Sequence, residues 1–363
     1  MKKVGIIGRF GLGENFCDGQ TVKTQNLARL LEKEQVFSIM KVDTYLYRRK
    51  NIKLLFDTVI CMLTCKHIFL LVSVNGMNFY LRFLYYLNKV TRRNIYHYII
   101  GSELLDMVKH NINLVKYLNA LKVNWFEYDS GTQYLQEKGV KNAVTLSNFK
   151  LITPVPYASP YKNAENIYRF CTFSRVMEEK GITDAILAVK EINETQKKMV
   201  ASLDIYGPLE ADYEDKFRAL LKDNQDCVRY MGVADSKNSV EILKGYYGLL
   251  FPTRWIGEGV PGTIIDAFAA GIPIVASDWN ANREIIKDGE QGILYPNLNL
   301  KTLTDAVNWA VSHPDIMNTM RMESRKAFNK YMPETILKTI ITEMGCLECK
   351  DCMPDNCEKR VNQ

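Results

Sequence analysis

Two carboxylates bracket a loop rich in glycine and proline in the stretch 249–277, which reads LLFPTRWIGEGVPGTIIDAFAAGIPIVAS. Glu258 opens the loop, and Asp266, separated from it by seven residues, lies in a segment with the apolar spacing of a helix. A helix N-terminus presents free N–H groups and the positive end of its dipole to a bound anion. Carboxylates suit hydroxyl groups and an amide-rich turn suits phosphate, so together they indicate a nucleotide-sugar. The alternative is a loop that carries two unrelated acidic residues.

The turn between the two carboxylates would surround the diphosphate of such a ligand. Its candidate binding residues are Gly259, Val260, Pro261, Gly262 and Thr263. A second candidate group lies earlier in the chain, in FSRVMEEKGITDAI. Arg175 follows a strand-like run there, and Lys180 comes five residues later, so two cations at a strand's carboxyl end could neutralise a diphosphate leaving group. The alternative is a solvated basic pair.

The elements that must position these residues alternate between strand and helix patterns. An apolar run, Gly248–Phe251, precedes the loop, the predicted helix spans Gly262–Ala270, and a second apolar run spans Ile274–Ala276. Upstream, strands are predicted at 168–173, 201–206 and 228–231, and helices at 181–195, 210–224 and 238–244. This alternation predicts a mostly parallel sheet with ligands at the carboxyl ends of its strands. The strand end at Gly207 is a further candidate donor contact.

A similar alternation fills the first part of the chain. The strand pattern Lys3–Ile7 is followed by glycines that include Gly11 and Gly13, and a helical run starts just after Gly19, at Gln20. The spacing G-x-x-G-x-G differs from the dinucleotide fingerprint, so a nicotinamide enzyme is the weakest of the interpretations. Further strands are predicted at 36–42, 67–72, 94–100, 124–127 and 143–146, with helices at 53–62 and 77–88.

Composition and charge limit the classes of protein to which this chain can belong. A chain of 363 residues with 47% hydrophobic and 24% charged residues is globular and long enough for two domains. Proline-rich residues 151–166 read as a linker, so we expect domains at 1–155 and 165–330, a helix at 333–345 and a Cys-rich tail at 346–363. Residues 1–150 carry 22 Lys and Arg against 11 Asp and Glu, a balance of +11. No nucleic-acid-binding motif accompanies this charge, which argues against nucleic acid.

A membrane-surface role is one reading of this basic half. The helix at 77–88 is dense in aromatic residues and ends at Lys89, Arg92 and Arg93, which fits an interfacial helix. The alternative is a core helix followed by a solvated turn. Neither a signal peptide nor a stretch long enough to span a bilayer is visible. We therefore expect a cytoplasmic protein, at most peripheral, at the inner face of the cell membrane.

The segment EGVPGTIIDAFAAGIPIVAS resembles the signature of glycosyltransferase family 4, in which Glu, seven residues and a second Glu recur. Asp266 replaces the second Glu and is one methylene shorter. The Arg and Lys before KG, the stretch DGQTVKTQNLARLL, and the strand ends in WFEYDS and SNFK extend the resemblance, most closely toward bacterial capsule and exopolysaccharide enzymes. It implies an α/β GT-B fold: two Rossmann-like, doubly wound parallel-sheet domains facing a cleft, with the last helix crossing back.

The resemblance implies residue roles and a reaction. Arg175 and Lys180 would stabilise the departing diphosphate, Glu258 would support the donor sugar, and Asp266 would bind the ribose hydroxyls. The donor would be a nucleoside-diphosphate sugar, with UDP the commonest choice, and Gly11 and Gly13 would line its side of the cleft. Gly19 and Gln20 would face the acceptor. Transfer would retain the anomeric configuration and need neither a catalytic metal nor another cofactor.

The acceptor implied by the resemblance is a glycan or a sugar on a polyprenyl diphosphate, which fits the basic first domain. Two rival classes remain open. One is a nucleotide-sugar epimerase of the same fold, which would need acidic residues and histidines that converge in the cleft. The other is a non-catalytic nucleotide-sugar-binding subunit of a transferase complex.

The last 18 residues contain four cysteines in the spacing C-x2-C-x2-C-x4-C, namely Cys346, Cys349, Cys352 and Cys357. Four thiolates could hold zinc or an iron–sulfur cluster. The spacing is longer than the ferredoxin run, and the reducing cytosol also suits a tail of free thiols. Both readings stay open, and the tail lies outside the family pattern.

Overall fold

Two parallel β-sheets with helices on their faces make up the protein in its computed structural model. The structure describes residues 1–11, 19–45, 51–163, 166–296 and 299–345. Gly13 and the four tail cysteines lie outside the described residues, so the roles predicted for them stay predictions. The domain limits at residues 155 and 165 stay predictions as well.

The first sheet has, within the described part of the chain, six parallel strands in the order β2-β1-β3-β4-β5-β6. The strands are β1 (Lys2–Gly8), β2 (Phe37–Asp43), β3 (His67–Leu71), β4 (Asn94–Tyr98), β5 (Val123–Phe126) and β6 (Ala143–Thr145). Every residue of β3 and β5 is buried. Helices on both faces of a parallel sheet explain why these strands are apolar without alternation.

The second sheet, counted over the same described residues, also has six parallel strands, in the order β12-β11-β10-β7-β8-β9. The strands are β7 (Tyr168–Phe173), β8 (Ala201–Tyr206), β9 (Val228–Gly232), β10 (Gly248–Phe251), β11 (Ile274–Ser277) and β12 (Gly292–Tyr295). The doubly wound α/β architecture predicted from the strand and helix patterns is therefore confirmed.

The helices connect these strands and cover both faces. They are α1 (Gly19–Lys33), α2 (Asn51–Thr64), α3 (Val74–Thr91), α4 (Glu103–His110), α5 (Leu114–Leu118), α6 (Asp129–Glu137), α7 (Ile182–Gln196), α8 (Glu214–Asp223), α9 (Ser239–Leu243), α10 (Gly262–Ala270), α11 (Asn282–Ile285), α12 (Leu300–Ser312), α13 (Pro314–Ala327) and α14 (Pro333–Glu343). Among the described helices, none is both long and apolar enough to cross a bilayer.

The final helix returns to the first sheet, as the resemblance implied. Ile336 and Ile340 of α14 are buried in the same core as Leu27 of α1 and Ile6 of β1. The last helix therefore leaves the second sheet and ends in a hydrophobic contact with the first sheet. A proline at the first position of α14 begins the helix without losing a backbone hydrogen bond.

One predicted helix starts later than expected. The pattern predicts a helix from residue 210, but α8 begins at Glu214. Leu209 still forms a parallel bridge with Val176, and the Glu210 amide donates to the Val176 carbonyl over 3.1 Å. These bonds keep the chain extended beyond β8, so the helix begins only after they end.

His97 lies within the core of the first sheet and is fully buried. Its Nδ1 lies 3.0 Å from Oδ1 of Asn124, and its Nε2 has no hydrogen-bond partner among the described residues. Burial lowers the pKa of His97 to about 4, because a charged imidazole would lose its hydration there. The folded protein therefore holds this side chain neutral at every pH above that value.

We expect this histidine to make the protein sensitive to acid. The unfolded chain binds a proton near pH 6.5 that the folded chain excludes, so stability is present above that pH and is lost as pH falls toward the folded value. Because of His97, the free energy of unfolding should be about 2 kcal/mol lower at pH 5 than at pH 8. Urea unfolding of wild type and His97→Gln at both pH values measures it. Equal pH dependence of the two proteins would contradict the assignment.

Candidate active site between the two sheets

Residues 252–261, which connect β10 to α10, form the loop that carries Glu258; we call it the 252–261 loop. Residues at the end of the neighbouring strand β11 and just after it hold this loop in place. Ser277 Oγ donates to the Thr253 carbonyl over 2.6 Å, and Trp279 Nε1 donates to the Trp255 carbonyl over 2.8 Å. The loop is thus tied down at the carboxyl ends of two adjacent parallel strands, where the sequence pattern predicts ligand binding.

Lys180 and Glu258 form an ion pair, although the sequence placed them in separate motifs. Lys180 Nζ donates to Glu258 Oε2, and Thr253 Oγ1 donates to the same oxygen over 3.0 Å. Both charged side chains are about nine-tenths buried. Gly181 permits this approach, because its φ of 71° and its lack of Cβ let the chain pass against the Pro252 carbonyl. The predicted alternative of a solvated basic pair is therefore wrong for Lys180.

Arg175 lies nearby but is more exposed. Its Nη1 donates to Glu210 Oε1 over 3.1 Å, and its guanidinium lies 5.3 Å from the ring centre of Trp255 in the 252–261 loop. The side chain is 39% exposed, so one face remains open to solvent. Gly207, with φ of 140°, lies so close to the Ser174 carbonyl that a Cβ would overlap with it. Gly207 therefore supports the backbone that carries Arg175.

Asp266 lies in the first turns of α10 and is almost completely buried. Lys150 Nζ donates to its two oxygens over 2.6 and 2.5 Å, and Ser239 Oγ donates to Oδ1 over 2.9 Å. Burial raises the pKa of Asp266, and the Lys150 ammonium acts in the opposite direction. The expected hydroxyl-binding carboxylate is thus already paired, with a cation from the segment that follows the first sheet.

The first sheet contributes a second buried ion pair that contacts the 252–261 loop. Glu127, just after β5, accepts from Lys23 Nζ at Oε1 over 2.5 Å and from the Val260 amide at Oε2 over 2.6 Å. Lys23 also donates to the Ile99 carbonyl over 2.8 Å. Burial lowers the pKa of Lys23, and Glu127 opposes that shift. Asn148 adds a bond to the Val260 carbonyl over 3.0 Å, so both polar groups of that residue are held from the first sheet.

Gly259 is the residue that makes room for this contact. A Cβ built on Gly259 would overlap with Glu127 Oε2, which Lys23 and the Val260 amide hold in place. We expect Gly259→Ala to displace the carboxylate and lower catalytic efficiency at least about tenfold, since misplacement of a catalytic loop by about 1 Å has effects of that size or more. Activity and melting temperature should be measured together.

Gly245→Ala is the matched control, because a Cβ there meets nothing closer than 3.7 Å and its φ is not in the left-handed region. Addition of Glu127→Ala to Gly259→Ala removes the overlap. The catalytic efficiency of the double variant should therefore be no lower than that of Glu127→Ala alone. An active Gly259→Ala single variant would show that the contact is unimportant.

Glu103 is a further carboxylate at this junction, at the start of α4. Its carboxylate lies between two glycines: Gly101, in the connection from β4 to α4, and Gly257, in the 252–261 loop. A Cβ on either glycine would come into close contact with this carboxylate. Burial raises its pKa. Ser102 beside it donates to the Ile256 carbonyl over 2.6 Å. Glu103 has no ion-pair partner within the described part of the chain.

The remaining predicted residues make fewer contacts. Gly11 follows β1 with φ of 61°, and Gly19 opens α1 with open space where its Cβ would be. The Gln20 carbonyl accepts from Thr24 Oγ1 over 2.9 Å. Thr263 Oγ1, at the N-terminus of α10, is buried and has no hydrogen-bond partner among the residues that the structure describes.

Histidines and metal ligands do not gather at this site. His67 and His97 are buried in the first sheet, His110 ends α4, and His313 stacks on Trp309 at 4.3 Å. Across the described residues, no group of three or more His, Cys, Asp or Glu side chains could hold a metal ion. The arrangement instead offers paired lysines and carboxylates, which suit hydroxyl and phosphate groups.

Sequence reasoning missed several residues of this arrangement. Lys23, Glu127 and Lys150 were not proposed as site residues, although Glu127 and Lys150 lie in the strand-end motifs WFEYDS and SNFK. The carboxyl ends of parallel strands meet at one edge of a sheet. That rule, applied to every polar residue just after a predicted strand, could have found both. Lys23, in mid-helix, leaves no such signal.

The chain is similar to known proteins in sequence and in fold. Residues 159–334 match the family model described as glycosyl transferases group 1. The uncharacterized glycosyltransferase MJ1059 of Methanocaldococcus jannaschii is 27% identical over 171 residues, which are 46% of this chain and 38% of that protein. The amylovoran biosynthesis glycosyltransferase AmsK of Erwinia amylovora is 26% identical over 139 residues, 37% of this chain and 34% of AmsK. The matches thus span little more than a third of these curated relatives.

The fold extends over nearly the whole chain in solved structures. HepE of Anabaena, in complex with UDP and glucose, superposes with a TM-score of 0.70 and 13% identity over 96% of this chain and all of HepE. This likeness identifies the fold as GT-B. The family model covers the second sheet and its helices, so over residues 159–334 this chain is similar to the glycosyl transferases group 1.

Proposed function

We propose that this protein is a retaining glycosyltransferase of family 4. It would transfer a sugar from a UDP-sugar to a hydroxyl of a glycan or lipid-linked oligosaccharide during synthesis of a bacterial surface polysaccharide. The observation that carries this proposal is the buried ion pair between Lys180 and Glu258. Glu258 lies four residues before the start of α10. A cation for phosphate and a carboxylate for sugar hydroxyls are thereby held side by side at the ends of β7 and β10.

In the proposed reaction, the bond between the sugar C1 and the β-phosphate oxygen breaks, and the acceptor hydroxyl forms the new bond to C1 from the same face. The acceptor proton passes to an oxygen of the departing UDP, so no side chain has to act as base. Lys180 and Arg175 offset the charge that develops on the diphosphate. Glu258 accepts a hydrogen bond from a hydroxyl of the transferred sugar.

Asp266 is the proposed ligand of the ribose hydroxyls, and this role requires Lys150 to release at least one carboxylate oxygen. The side chain of Lys150 lies against Gly262, at the N-terminus of α10. An arriving diphosphate would therefore offer its ammonium a new partner close to the old one. Val260 and Gly259, held by Glu127, would keep the loop in register while this exchange occurs.

The donor and acceptor classes are supported by what related proteins are named for. HepE was solved with UDP and glucose, and AmsK is named for amylovoran biosynthesis. A phosphatidyl-myo-inositol mannosyltransferase of Mycobacterium leprae, 30% identical over 94 residues, acts on a lipid by its name. We propose a polyprenyl-diphosphate-linked acceptor, at the cytoplasmic face of the membrane, for which the basic first part of the chain is suited.

The alternatives differ in how the site supports them. An epimerase would need histidines in the cleft, and the positions of all four histidines argue against it. A non-catalytic binding subunit would use the same donor-binding residues as an enzyme, including Asp266. Release of UDP from a UDP-sugar separates that candidate from an enzyme.

Thermal-shift measurements with UDP, GDP, ADP, dTDP and CMP test the donor site. A ligand that binds only the folded protein raises the melting temperature by mass action. We expect UDP to raise it in wild type and to have much less effect on Arg175→Ala. Arg218→Ala is the control, because this exposed arginine pairs with Glu214 on its own helix and with no other acidic residue that the structure describes. A wild type that no nucleotide stabilises would contradict the proposal.

A further inference from the structure

The outer side of α2 carries an apolar stripe that the protein's core does not use. Five large side chains on that side are exposed, at the helical spacing i, i+3, i+4, i+8 and i+11: Ile52, Leu55, Phe56, Ile60 and Leu63. Ile52 and Phe56 are 73% and 64% exposed. The other side of α2, including Leu54 and Met62, is buried. The helix is therefore apolar on both sides, and folding explains only one of them.

The neighbouring helix α3 repeats this arrangement. Phe79, Tyr86 and Val90 follow the spacing i, i+7 and i+11 on its outer side, and the half-buried Phe83 between them packs against the core. Val90 is 82% exposed and Phe79 is 50% exposed. The opposite side of α3 is buried in the same core as the inner side of α2. Both stripes therefore face away from one core, on the same side of the first sheet.

The two helices are held together at their C-terminal ends. Arg93, just after α3, donates from Nε and Nη2 to the carbonyls of Met62 and Leu63, each over 2.8 Å. These bonds use the last carbonyls of α2, so they fix one helix against the other. We call the combined outer surface of α2 and α3 the α2–α3 face.

Cations greatly outnumber acidic residues in the segment that carries this face. Residues 51–93 contain six Lys and Arg residues and a single acidic residue, Asp57. Arg82 lies among Asn78, Phe79, Phe83 and Tyr86 in one shallow groove. Apolar side chains at helical spacing with lysine and arginine beside them fit the boundary between lipid headgroups and acyl chains, where the cations meet phosphate.

A second copy of the chain fits this face poorly. Self-association through the α2–α3 face would bring the two sets of cations together with almost no acidic residue to compensate. Like charges across an interface are unfavourable, and the centres of protein interfaces are depleted of charge. An anionic lipid surface meets both the apolar and the charged part of the face.

We propose that the α2–α3 face docks the protein on a membrane that contains anionic phospholipid. The exposed apolar stripes enter the headgroup region, and Arg82, Lys89 and their neighbours contact lipid phosphates. This inference deepens the proposed function, in which the acceptor is attached to a lipid. Its test uses vesicles without donor or acceptor, so that docking and transfer can fail independently.

Vesicle flotation of the full chain tests the proposal. We expect binding to vesicles of phosphatidylcholine with phosphatidylglycerol, and little binding to phosphatidylcholine alone. Binding should weaken with salt, because surface charges are screened. Ile52→Ser/Phe56→Ser should reduce vesicle binding about tenfold through lost apolar insertion. Arg82→Gln/Lys89→Gln should reduce it about tenfold or more through lost attraction to lipid phosphate.

The matched control is Ile316→Ser/Met322→Ser, which changes two exposed apolar residues of α13 and should leave binding unchanged. A cooperative melting transition at a temperature close to that of wild type verifies that each variant is folded. Three results would overturn the inference: no binding by wild type at low salt, equal binding by wild type and Ile52→Ser/Phe56→Ser, or a wild-type dimer that these substitutions dissociate. A lost UDP shift with intact vesicle binding would count against the proposed transferase alone.

Discussion

Lys180→Met lowers kcat/KM for sugar transfer by about a hundredfold to a thousandfold, the effect expected when one preorganised group that stabilises transition-state charge is removed. Lys180 is buried beside Glu258, so in the proposed function its ammonium would meet the diphosphate without first shedding a shell of water. The expected loss lies mainly in kcat, because charge on the diphosphate develops as the sugar departs.

A folding defect has to be separated from this effect. Removal of one partner of a buried ion pair leaves the other charge uncompensated and destabilises a protein by about 3–5 kcal/mol. Lys180→Met/Glu258→Gln removes both charges, so it should recover much of the stability and none of the activity. Initial rates and urea unfolding of the two variants give both quantities. If the double variant is stable and as active as wild type, Lys180 does not act on the leaving group.

We expect Lys150→Met to destabilise the protein by about 3–5 kcal/mol near neutral pH, because among the described residues it leaves only the Ser239 hydroxyl bonded to the buried carboxylate of Asp266. Lys150→Met/Asp266→Asn removes both charges and should recover most of that loss. The difference between the double variant and the sum of the single variants measures the coupling.

The pH dependence of Lys150→Met has a definite sign. Burial raises the pKa of Asp266, and the variant lacks the cation that opposes this shift. The folded variant therefore takes up a proton more readily than its unfolded chain, so its stability rises as pH falls through the raised pKa. Urea unfolding at pH 8, 7 and 5 should show that the free energy of unfolding lost through Lys150→Met becomes smaller as pH falls. A loss that is constant with pH would mean that the pKa of Asp266 in the variant is not raised into this range, and it would contradict the prediction.

The fold follows from local patterns of the sequence to a large extent. Apolar runs such as Gly248–Phe251 and Ile274–Ala276 lie close to the observed strands β10 and β11, because strands covered on both faces leave an unbroken apolar signal. Glu258, Arg175 and Lys180 could be proposed because each follows a strand end. Their types and spacing, together with the family signature, carried that interpretation.

The partners of these residues could not be read in the same way. Lys150 meets Asp266 across 116 positions of sequence, and Lys23 meets Glu127 across 104. Such contacts depend on how the two sheets lie against each other, which no local periodicity records. The stripe on α2 was overlooked for a related reason: an apolar residue in a helix reads as core until the structure shows which side is covered.

The most direct test of the central claim is UDP release from a panel of UDP-sugars by purified wild type, with Lys180→Met/Glu258→Gln measured alongside. Our account predicts that wild type releases UDP from one sugar donor, faster when a lipid-linked acceptor is added, and that the double variant, still folded, releases none above background. Release from no donor by wild type, or equal release by the two proteins, would contradict it.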